Sequence, residues 1–396
     1  MSESHDVLII GGGSGGLTVG AQLRARPDAP AVTIIEPSAK HYYQPLWTLV
    51  GGGIFPREDS ERNEADFIPP GATWIRDAVA TIDPVAHLVR TASGQELHYE
   101  QLVVAAGLQL DWTAIPGLAA SVGKPGTGVV SNYSYDTVDS TWEAIRTFRG
   151  GTAIFTEPKG AVKCGGAPQK IMYLAEESFR RQGVREKTRV LFMNAKPSNF
   201  TAPAYGVTLR RICNERGIEI LLEHELIEIR AEAREAVFRL ADGSTIVEHY
   251  DMMHVTPPQS APDFLKQSPL ANADGWVSVD KSTLQHTIFR DVFALGDCSS
   301  LPTSKTGAAV RGQAPVLVEN LLALRHHAPL AGVYDGYTAC PVVTGYGKLV
   351  MAEFDYTKTP KESFSFDQNQ ERYSMFALKA HVLPRLYWHG MLRGRM

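Results

Sequence analysis

The sequence of 396 residues has only four cysteines, no lysine-rich block and no long apolar run. Four cysteines in a chain of this length do not form the disulfide framework of a small secreted domain. No apolar stretch approaches the ~20 residues that a membrane-spanning helix requires. The formal charge of -4 argues against nucleic acid as a partner. We therefore expect a globular protein from a reducing compartment.

The composition supports a large hydrophobic core. Apolar residues make up 44% of the chain and charged residues 21%, so disorder is not expected and the length suits two or three domains. The apolar stretch at residues 7–13 contains glycines and follows no basic region. We therefore expect neither a secretory signal nor a transit peptide. No metal site is predicted.

A glycine-rich turn near the N-terminus indicates a dinucleotide site. It follows a predicted strand at residues 6–10, precedes a predicted helix, and consists of Gly11, Gly12, Gly13, Ser14, Gly15 and Gly16. In a G-x-G-x-x-G turn the backbone N–H groups approach a pyrophosphate, and the helix N-terminus favours its negative charge. A second predicted strand, residues 31–35, leads to Glu36, whose carboxylate can bind a ribose.

Two later segments resemble the remaining motifs of the two-dinucleotide-binding-domain flavoproteins. A predicted strand at residues 102–110 contains the small residues Ala105, Ala106 and Gly107, and a strand within residues 291–302 leads to Gly296 and Asp297. The resemblance implies that the cofactor is FAD. It also implies that Asp297 binds the ribityl hydroxyls and that the backbone near Val79 faces the adenine.

The middle of the chain lacks the second glycine motif that pyridine-nucleotide flavoenzymes carry. The predicted strand at residues 150–158 is followed by KGAVKCGGAPQK, and the next strand, residues 189–195, has Asn194 where a ribose-binding acid would stand. Both the phosphate site and the ribose carboxylate are therefore missing. We expect that NADH and NADPH are not the reductants and that a loop carrying Cys164 fills the nicotinamide position.

Cys164 is predicted to be a reactive thiol. It lies just before a predicted helix that has Pro168 in its first turn, and Lys163 and Lys170 are close in sequence. A helix N-terminus and neighbouring cations lower the pKa of a thiol. The alternative is a buried structural cysteine, the commoner fate of a single cysteine.

The other three cysteines give weaker signals. Cys340 falls in a predicted loop of small residues and glycines at 338–347, and the pattern alone leaves its role open. Cys213 shares one face of a predicted helix with Leu209 and is assigned to the core. Cys298 directly follows Asp297, and packing is its expected role.

The segments around these cysteines resemble sulfide:quinone oxidoreductases. The resemblance rests on the opening GGGSGG and on KCGGAPQKIMYLAE, LPTSKTGAAVRGQ and YTACPVVTGYGKLVMAEFDY. It points to the two-cysteine branch that includes the mitochondrial enzyme, because residues 123–136 lack the third cysteine of other branches. It implies oxidation of hydrogen sulfide by FAD, with electrons passed to a quinone.

The resemblance also implies roles for single residues. Cys164 and Cys340 form the redox pair, joined in the resting state directly or through bridging sulfur, and Cys340 keeps the sulfane sulfur as a persulfide. A small acceptor (glutathione, sulfite or polysulfide) then removes that sulfur. Gln44 and Pro45 are expected to lie against the flavin, and Lys305 to supply positive potential there.

The C-terminal residues predict a segment that lies on a membrane. From residue 372 onward the chain has no acidic residue. It carries basic and apolar or aromatic side chains, namely Arg372, Phe376, Lys379, Val382, Leu383, Arg385, Leu386, Tyr387, Trp388, Met391, Leu392, Arg393 and Arg395. Pro384 is expected to divide it into two short helices. Such composition is typical of interfacial segments; a dimer contact or a lid packed on the core is the alternative.

The predicted architecture is an α/β fold with two Rossmann-like dinucleotide-binding domains and a C-terminal membrane-facing cap. The FAD-binding domain is expected at residues 1–110 and 285–330, the second domain at 111–284 and the cap at 331–396. We expect a peripheral membrane protein on the cytoplasmic face of a bacterial inner membrane, and a homodimer is one option for its assembly. The alternative functions are a type II NADH:quinone oxidoreductase and a flavin- and cysteine-based redox sensor.

Overall fold

The computed structural model describes residues 3 to 396. Its strands are β1 (Glu3–Ile10), β2 (Val32–Ile35), β3 (Lys40–Tyr42), β4 (Glu61–Asn63), β5 (Thr73–Ile75), β6 (Val79–Asp83), β7 (Leu88–Thr91), β8 (Glu96–Val104), β9 (Gln109–Leu110), β10 (Val129–Val130), β11 (Gly151–Glu157), β12 (Thr188–Asn194), β13 (Ile218–Leu222), β14 (Glu225–Arg230), β15 (Glu235–Arg239), β16 (Thr245–His249), β17 (Met252–His254), β18 (Gln259–Ser260), β19 (Val292–Ala294), β20 (Thr338–Gly345) and β21 (Lys348–Phe354). The α-helices are α1 (Ser14–Arg24), α2 (Trp47–Gly51), α3 (Leu118–Ser121), α4 (Val138–Thr147), α5 (Ala167–Arg181), α6 (Pro203–Glu215), α7 (Asp263–Lys266), α8 (Gly307–Arg325), α9 (Tyr373–Ala377) and α10 (Leu383–His389).

The first sheet is built around β1, whose apolar residues 7–10 are fully buried. Such a continuous apolar run is typical of a parallel strand covered on both faces. β1 pairs in parallel with β2 and β8, and β2 pairs with β5. On its other edge, β8 pairs with β7 and, further along, with β19. The chain therefore returns to this sheet after a long excursion through the second one.

The second sheet has five parallel strands in the order β10-β17-β11-β12-β13. The loop that follows β11 carries Cys164 and leads into α5. The helix begins at Ala167, with Pro168 in its first turn as the sequence predicted; proline is tolerated there because the first N–H groups of a helix have no partner within it. The three domain boundaries given above stay predictions.

Cys340 does not lie in a loop, and that prediction was wrong. It belongs to β20, which pairs with β21 in an antiparallel hairpin where Cys340 faces Ala352. The small residues and glycines were interpreted as a loop, but the segment is almost continuously buried and has a partner strand. Pro341 is tolerated because a two-stranded hairpin leaves some N–H groups without a ladder partner.

The C-terminal segment, residues 372–396, packs largely against the first sheet's core. α9 is followed by a π-helical turn (Leu378–Val382) and by α10, which has Pro384 in its first turn, so the helical region divides just before this proline. The expectation that its apolar residues form one outward surface was wrong for most of them, because they fill the core: the buried ones are Phe376, Tyr387, Trp388, Met391 and Leu392. Val382 and Leu386 remain exposed, at 43% and 38%. Within residues 3–396, no helix has the length and apolarity to cross a bilayer.

Candidate active site

The glycine turn has the geometry of a dinucleotide cradle. Gly11 has a φ of +101°, and a side chain there would collide with the backbone of Ala105. Gly16 packs equally closely on the carbonyl of Gly11. Gly13, in contrast, faces open space with no atom within 4 Å of a Cβ position. The turn is therefore closed on the protein side and open on the side from which a ligand would approach.

The predicted residues around the turn fit FAD. Glu36 Oε2 accepts a hydrogen bond of 2.8 Å from Gly12 N, so its carboxylate is fixed at the turn. Gly107 has a φ of +69° and nothing within 4 Å of a Cβ position. Asp297 follows β19 at the carboxyl end of the same sheet, where ligands of such folds bind. Among residues 3–396 nothing forms a hydrogen bond with its carboxylate, and burial raises its pKa; ribityl hydroxyls would satisfy this group.

Five further predicted cofactor residues lie in separate elements around the turn and the cysteine loop. Gln44 Oε1 accepts a hydrogen bond of 2.8 Å from Lys163 Nζ, in the cysteine loop. Lys305 is folded back, with Nζ on the carbonyls of Asp297 and Ser299. Ala106 lies beside Gly11, and Val79 is the first residue of β6. The carbonyl oxygen of Pro45 accepts a hydrogen bond from Lys379 Nζ.

The structure brings Cys164 and Cys340 together across 176 positions of sequence. Their Sγ atoms lie 3.3 Å apart, beyond the ~2.05 Å of a disulfide, so the two sulfurs are not bonded and lie in hydrogen-bonding contact. Cys340 comes from β20, which packs on α5, and Cys164 comes from the loop before α5. Lys170, one turn into α5, places Nζ 2.9 Å from Cys164 Sγ.

This arrangement separates the acidities of the two thiols. The hydrogen bond from Cys340, and then the Lys170 ammonium, hold the pKa of Cys164 well below its usual range. The same hydrogen bond and burial raise the pKa of Cys340. Burial opposes the charge on Lys170, but the two sulfurs raise its pKa overall. The site therefore holds a Cys164 thiolate that accepts from a Cys340 thiol and a lysine ammonium.

The loop holds Cys164 in a strained conformation. Its φ of +58° lies in the left-handed region, which costs a non-glycine residue about 1–2 kcal/mol. Two short hydrogen bonds hold it: Cys164 N donates to Lys305 O, and Ala167 N donates to Cys164 O, both at 2.7 Å. Gly166 completes the contact, because a Cβ there would lie 2.6 Å from Cys340 Sγ.

Sequence reasoning missed Lys379 as a site residue. It was counted among the membrane-facing cations, yet it is 4% exposed and its Nζ donates to Pro45 O at 3.1 Å. Burial, and then the charge of Lys170, lower its pKa to about 7. Burial also lowers the pKa of Lys163 to about 8. No local sequence signal distinguishes Lys379 from a surface lysine, since its burial arises from packing of the C-terminal segment.

The remaining cysteines behave as packing residues. Burial raises the pKa of Cys213 and of Cys298 to about 11 in each case. Cys213 lies in the core of the second domain beside the hydroxyl of Tyr173, and Cys298 contacts backbone carbonyls below the first sheet. At neither sulfur do the nearby cations, Arg216 and Arg210 at Cys213 and Lys305 at Cys298, offset the effect of burial on the pKa.

Comparison with known proteins gives a consistent result. The family model of the pyridine nucleotide-disulphide oxidoreductases matches residues 5–317. The mitochondrial sulfide:quinone oxidoreductase of Dictyostelium discoideum is 49% identical over 392 residues, covering 98% of this chain and 86% of that protein. The mitochondrial sulfide:quinone oxidoreductase of Mus musculus is 48% identical over 393 residues, with 98% and 87% covered.

A solved structure supports the fold. The X-ray structure of the sulfide:quinone oxidoreductase from Aquifex aeolicus superposes with a TM-score of 0.82, covering 100% of this chain and 92% of that chain. The sequence identity is 19%, so this likeness concerns the fold alone. The predicted α/β fold with Rossmann-like parallel sheets is confirmed.

Proposed function

Because the chain belongs to the sulfide:quinone oxidoreductases within the pyridine nucleotide-disulphide oxidoreductase family, we propose that it oxidises sulfide through the pair Cys164 and Cys340. The resemblance drawn from the motifs is confirmed, and FAD is the cofactor. The observation that carries the role of the pair is the 3.3 Å contact of the two sulfurs beside the Lys170 ammonium.

The chemistry of the pair follows from its asymmetry. In the oxidised enzyme the two sulfurs are joined, directly or through bridging sulfur. Hydrosulfide attacks on the Cys340 side, the bond to Cys164 breaks, and Cys164 leaves as a thiolate while Cys340 holds the persulfide. Lys170 favours this direction because it stabilises the charge that appears on Cys164 Sγ. Bound FAD would supply the acceptor for the two electrons that the oxidation of sulfide releases, and it would pass them on to a quinone.

The remaining residues of the site hold and shield this chemistry. The glycine turn and Glu36 fit the dinucleotide, and the half-buried Asp297 carboxylate fits the ribityl chain. The Cys340 sulfur is only 1% exposed, which keeps bulk water from a persulfide bound there. A parallel bridge between Lys163 and Lys305 connects the cysteine loop to the segment that follows Asp297.

A basic groove near the cysteine pair supports the proposal that the sulfur acceptor is an anion. Phe200 lies between this groove and the pair, since a Cβ at Gly166 would lie 3.1 Å from Phe200 and 2.6 Å from Cys340 Sγ. The groove has a volume of about 610 Å³, and its lining includes three cations and no carboxylate: Ser198, Asn199, Phe200, Thr201, Pro203, Gly206, Val207, Arg210, Arg211, Asn214 and Lys358. Positive potential at such a groove attracts sulfite, polysulfide or the carboxylates of glutathione.

The membrane contact is proposed for the exposed face of the C-terminal segment. Val382, Arg385 and Leu386 are exposed together at the start of α10. A quinone resides in the lipid phase, so an enzyme that reduces it must reach the bilayer. The two relatives that are 49% and 48% identical to this chain are mitochondrial proteins, and they give no support to the expected bacterial cytoplasmic face. A homodimer stays a prediction.

Replacing Leu386 with aspartate is expected to weaken binding to vesicles of anionic phospholipid about tenfold. The substitution removes apolar area from the lipid contact and adds a repelled charge, together worth roughly 1–2 kcal/mol. Co-sedimentation at rising lipid concentration measures the effect. Ile288→Asp is the matched control, because Ile288 is 72% exposed and lies outside the C-terminal segment. Equal losses in both variants would contradict a membrane face at α10.

Anaerobic stopped-flow mixing tests the function itself. Sulfide is expected to bleach the oxidised-flavin absorption of the holoenzyme rapidly, whereas NADH is not, because the second domain lacks a nicotinamide-phosphate turn. Rapid bleaching by NADH would instead indicate an NADH:quinone oxidoreductase. Absence of bleaching by either donor would favour the redox-sensor alternative.

A further inference from the structure

A continuous chain of hydrogen bonds connects the glycine turn with the C-terminal segment. Ser14 Oγ, at the start of α1, lies 2.7 Å from the Tyr387 hydroxyl. That hydroxyl lies 2.5 Å from His41 Nε2, and His41 Nδ1 lies 3.0 Å from Glu64 Oε2. Tyr387, His41 and Glu64 are 7%, 3% and 1% exposed. We refer to these four residues as the Ser14–Glu64 chain.

Packing fixes Tyr387 independently of these hydrogen bonds. Its ring lies 4.6 Å, centre to centre, from that of Tyr43. Further along the segment, Gly394 lies so close to Ala21 of α1 that a Cβ would be 2.8 Å from its carbonyl carbon. Gln22 Nε2 donates to Met396 O at 2.7 Å. The segment therefore holds the helix whose N-terminus forms the cradle.

The far end of the Ser14–Glu64 chain places a carboxylate beside the turn. Glu64 Oε1 is buried against Gly12, and within residues 3–396 it has no hydrogen-bond partner. An uncompensated anion there would repel a pyrophosphate. Burial raises the pKa of Glu64, which favours a proton in its contact with His41 Nδ1. With that proton in place the carboxylate is neutralised, and Nε2–H of the ring can donate to the Tyr387 oxygen.

The direction of the hydrogen bonds decides what Ser14 can do. If Ser14 donates its only hydroxyl proton to Tyr387, none remains for a ligand. If Tyr387 accepts from His41 and donates to Ser14 Oγ, the Ser14 proton is free to point into the open side of the turn. Only the second arrangement suits a phosphate oxygen, which accepts and cannot donate.

We propose that Tyr387 is a cofactor-positioning residue, which turns the Ser14 hydroxyl toward the dinucleotide phosphate and so makes the C-terminal segment part of the FAD-holding structure. The inference rests on the FAD assignment under the proposed function. It does not depend on the reaction of the cysteines.

The test is the affinity for FAD, measured as the rise in free-flavin fluorescence when holoenzyme is diluted. Tyr387→Phe removes the hydroxyl and keeps the ring, and we expect the dissociation constant to rise about tenfold, as for loss of one charge-assisted hydrogen bond. Ser14→Ala should give a similar rise. The double variant should be no worse than either single one, because both remove the same hydrogen bond.

Tyr373→Phe is the matched control, since Tyr373 lies in the same segment and is 72% exposed. A Tyr387→Phe dissociation constant within about twofold of this control would overturn the proposal, and so would effects of Ser14→Ala and Tyr387→Phe that multiply. A packing role alone would lower the thermal stability of apo and holo forms equally without changing the affinity. Bleaching of the flavin by sulfide is measured separately, at saturating FAD. Absence of that bleaching with an altered FAD affinity in Tyr387→Phe would contradict the proposed function and leave the role of Tyr387 intact.

Discussion

Replacement of Cys164 by serine is expected to abolish the reduction of bound flavin by sulfide. The hydroxyl of serine stays protonated where the thiol is a thiolate, so it can neither form the bond to Cys340 nor leave as an anion. We expect the rate of bleaching to fall by about 10³-fold or more, as for loss of other covalent nucleophiles. Stopped-flow absorption at saturating sulfide measures it.

The control for this variant is Cys213→Ser. Cys213 is buried in the core around the second sheet, where burial raises its pKa to about 11 although Arg216 and Arg210 lie near. We expect unaltered flavin content and bleaching in the control. FAD absorption should also be retained in Cys164→Ser, since none of the cradle contacts involves its sulfur. Normal flavin reduction in Cys164→Ser would dismiss the cysteine-pair mechanism.

Replacement of Lys170 by methionine should slow flavin reduction and shift its pH dependence upward. The pKa of Cys164 is depressed first by the hydrogen bond from Cys340 and next by Lys170, whose Nζ lies 2.9 Å from the sulfur. Loss of the ammonium raises this pKa, so a smaller fraction of Cys164 is thiolate at neutral pH. The thiolate fraction falls roughly tenfold for each pH unit below the new pKa, so we expect reduction to be roughly several-fold slower at pH 7 and slower still in more acid solution.

The sign of the shift is the informative part. The wild-type rate should stay high as the pH falls toward the low pKa of Cys164. The rate of the variant should begin to fall at a higher pH than the wild-type rate does, and it should recover in alkaline solution. Lys170→Arg, which keeps a cation, should recover much of the neutral-pH rate. Lys348→Met removes a half-exposed lysine from β21 and should change nothing. A Lys170→Met profile that coincides with wild type would exclude the proposed role.

The sequence predicted well those parts of the site that are local in the chain. The glycine turn could be located because strand, turn and helix follow one another directly, and a φ of +101° at Gly11 can be met only by a residue without a Cβ. Pro168 marked the first turn of α5 for a similarly local reason. The nearness of Cys164 and Cys340 came from the resemblance of their segments, since no spacing rule connects such distant positions.

The residues that were missed or misplaced depend on tertiary packing. Cys340 was assigned to a loop because its partner strand begins only at Lys348 and the glycines between them suggested irregular backbone. Lys379 and Tyr387 were assigned to a membrane surface because an amphipathic pattern does not say which face meets the core. In the folded chain the apolar residues of this segment are taken up by the first sheet's core, and Lys379 is drawn in with them.

The bridge between Lys163 and Lys305 has a mechanical consequence. It joins the cysteine loop to the segment that follows Asp297, with Cys164 N held on Lys305 O at 2.7 Å. Movement of either segment would carry the other with it, so the reactive sulfur keeps its position relative to the carboxylate that fits the ribityl chain.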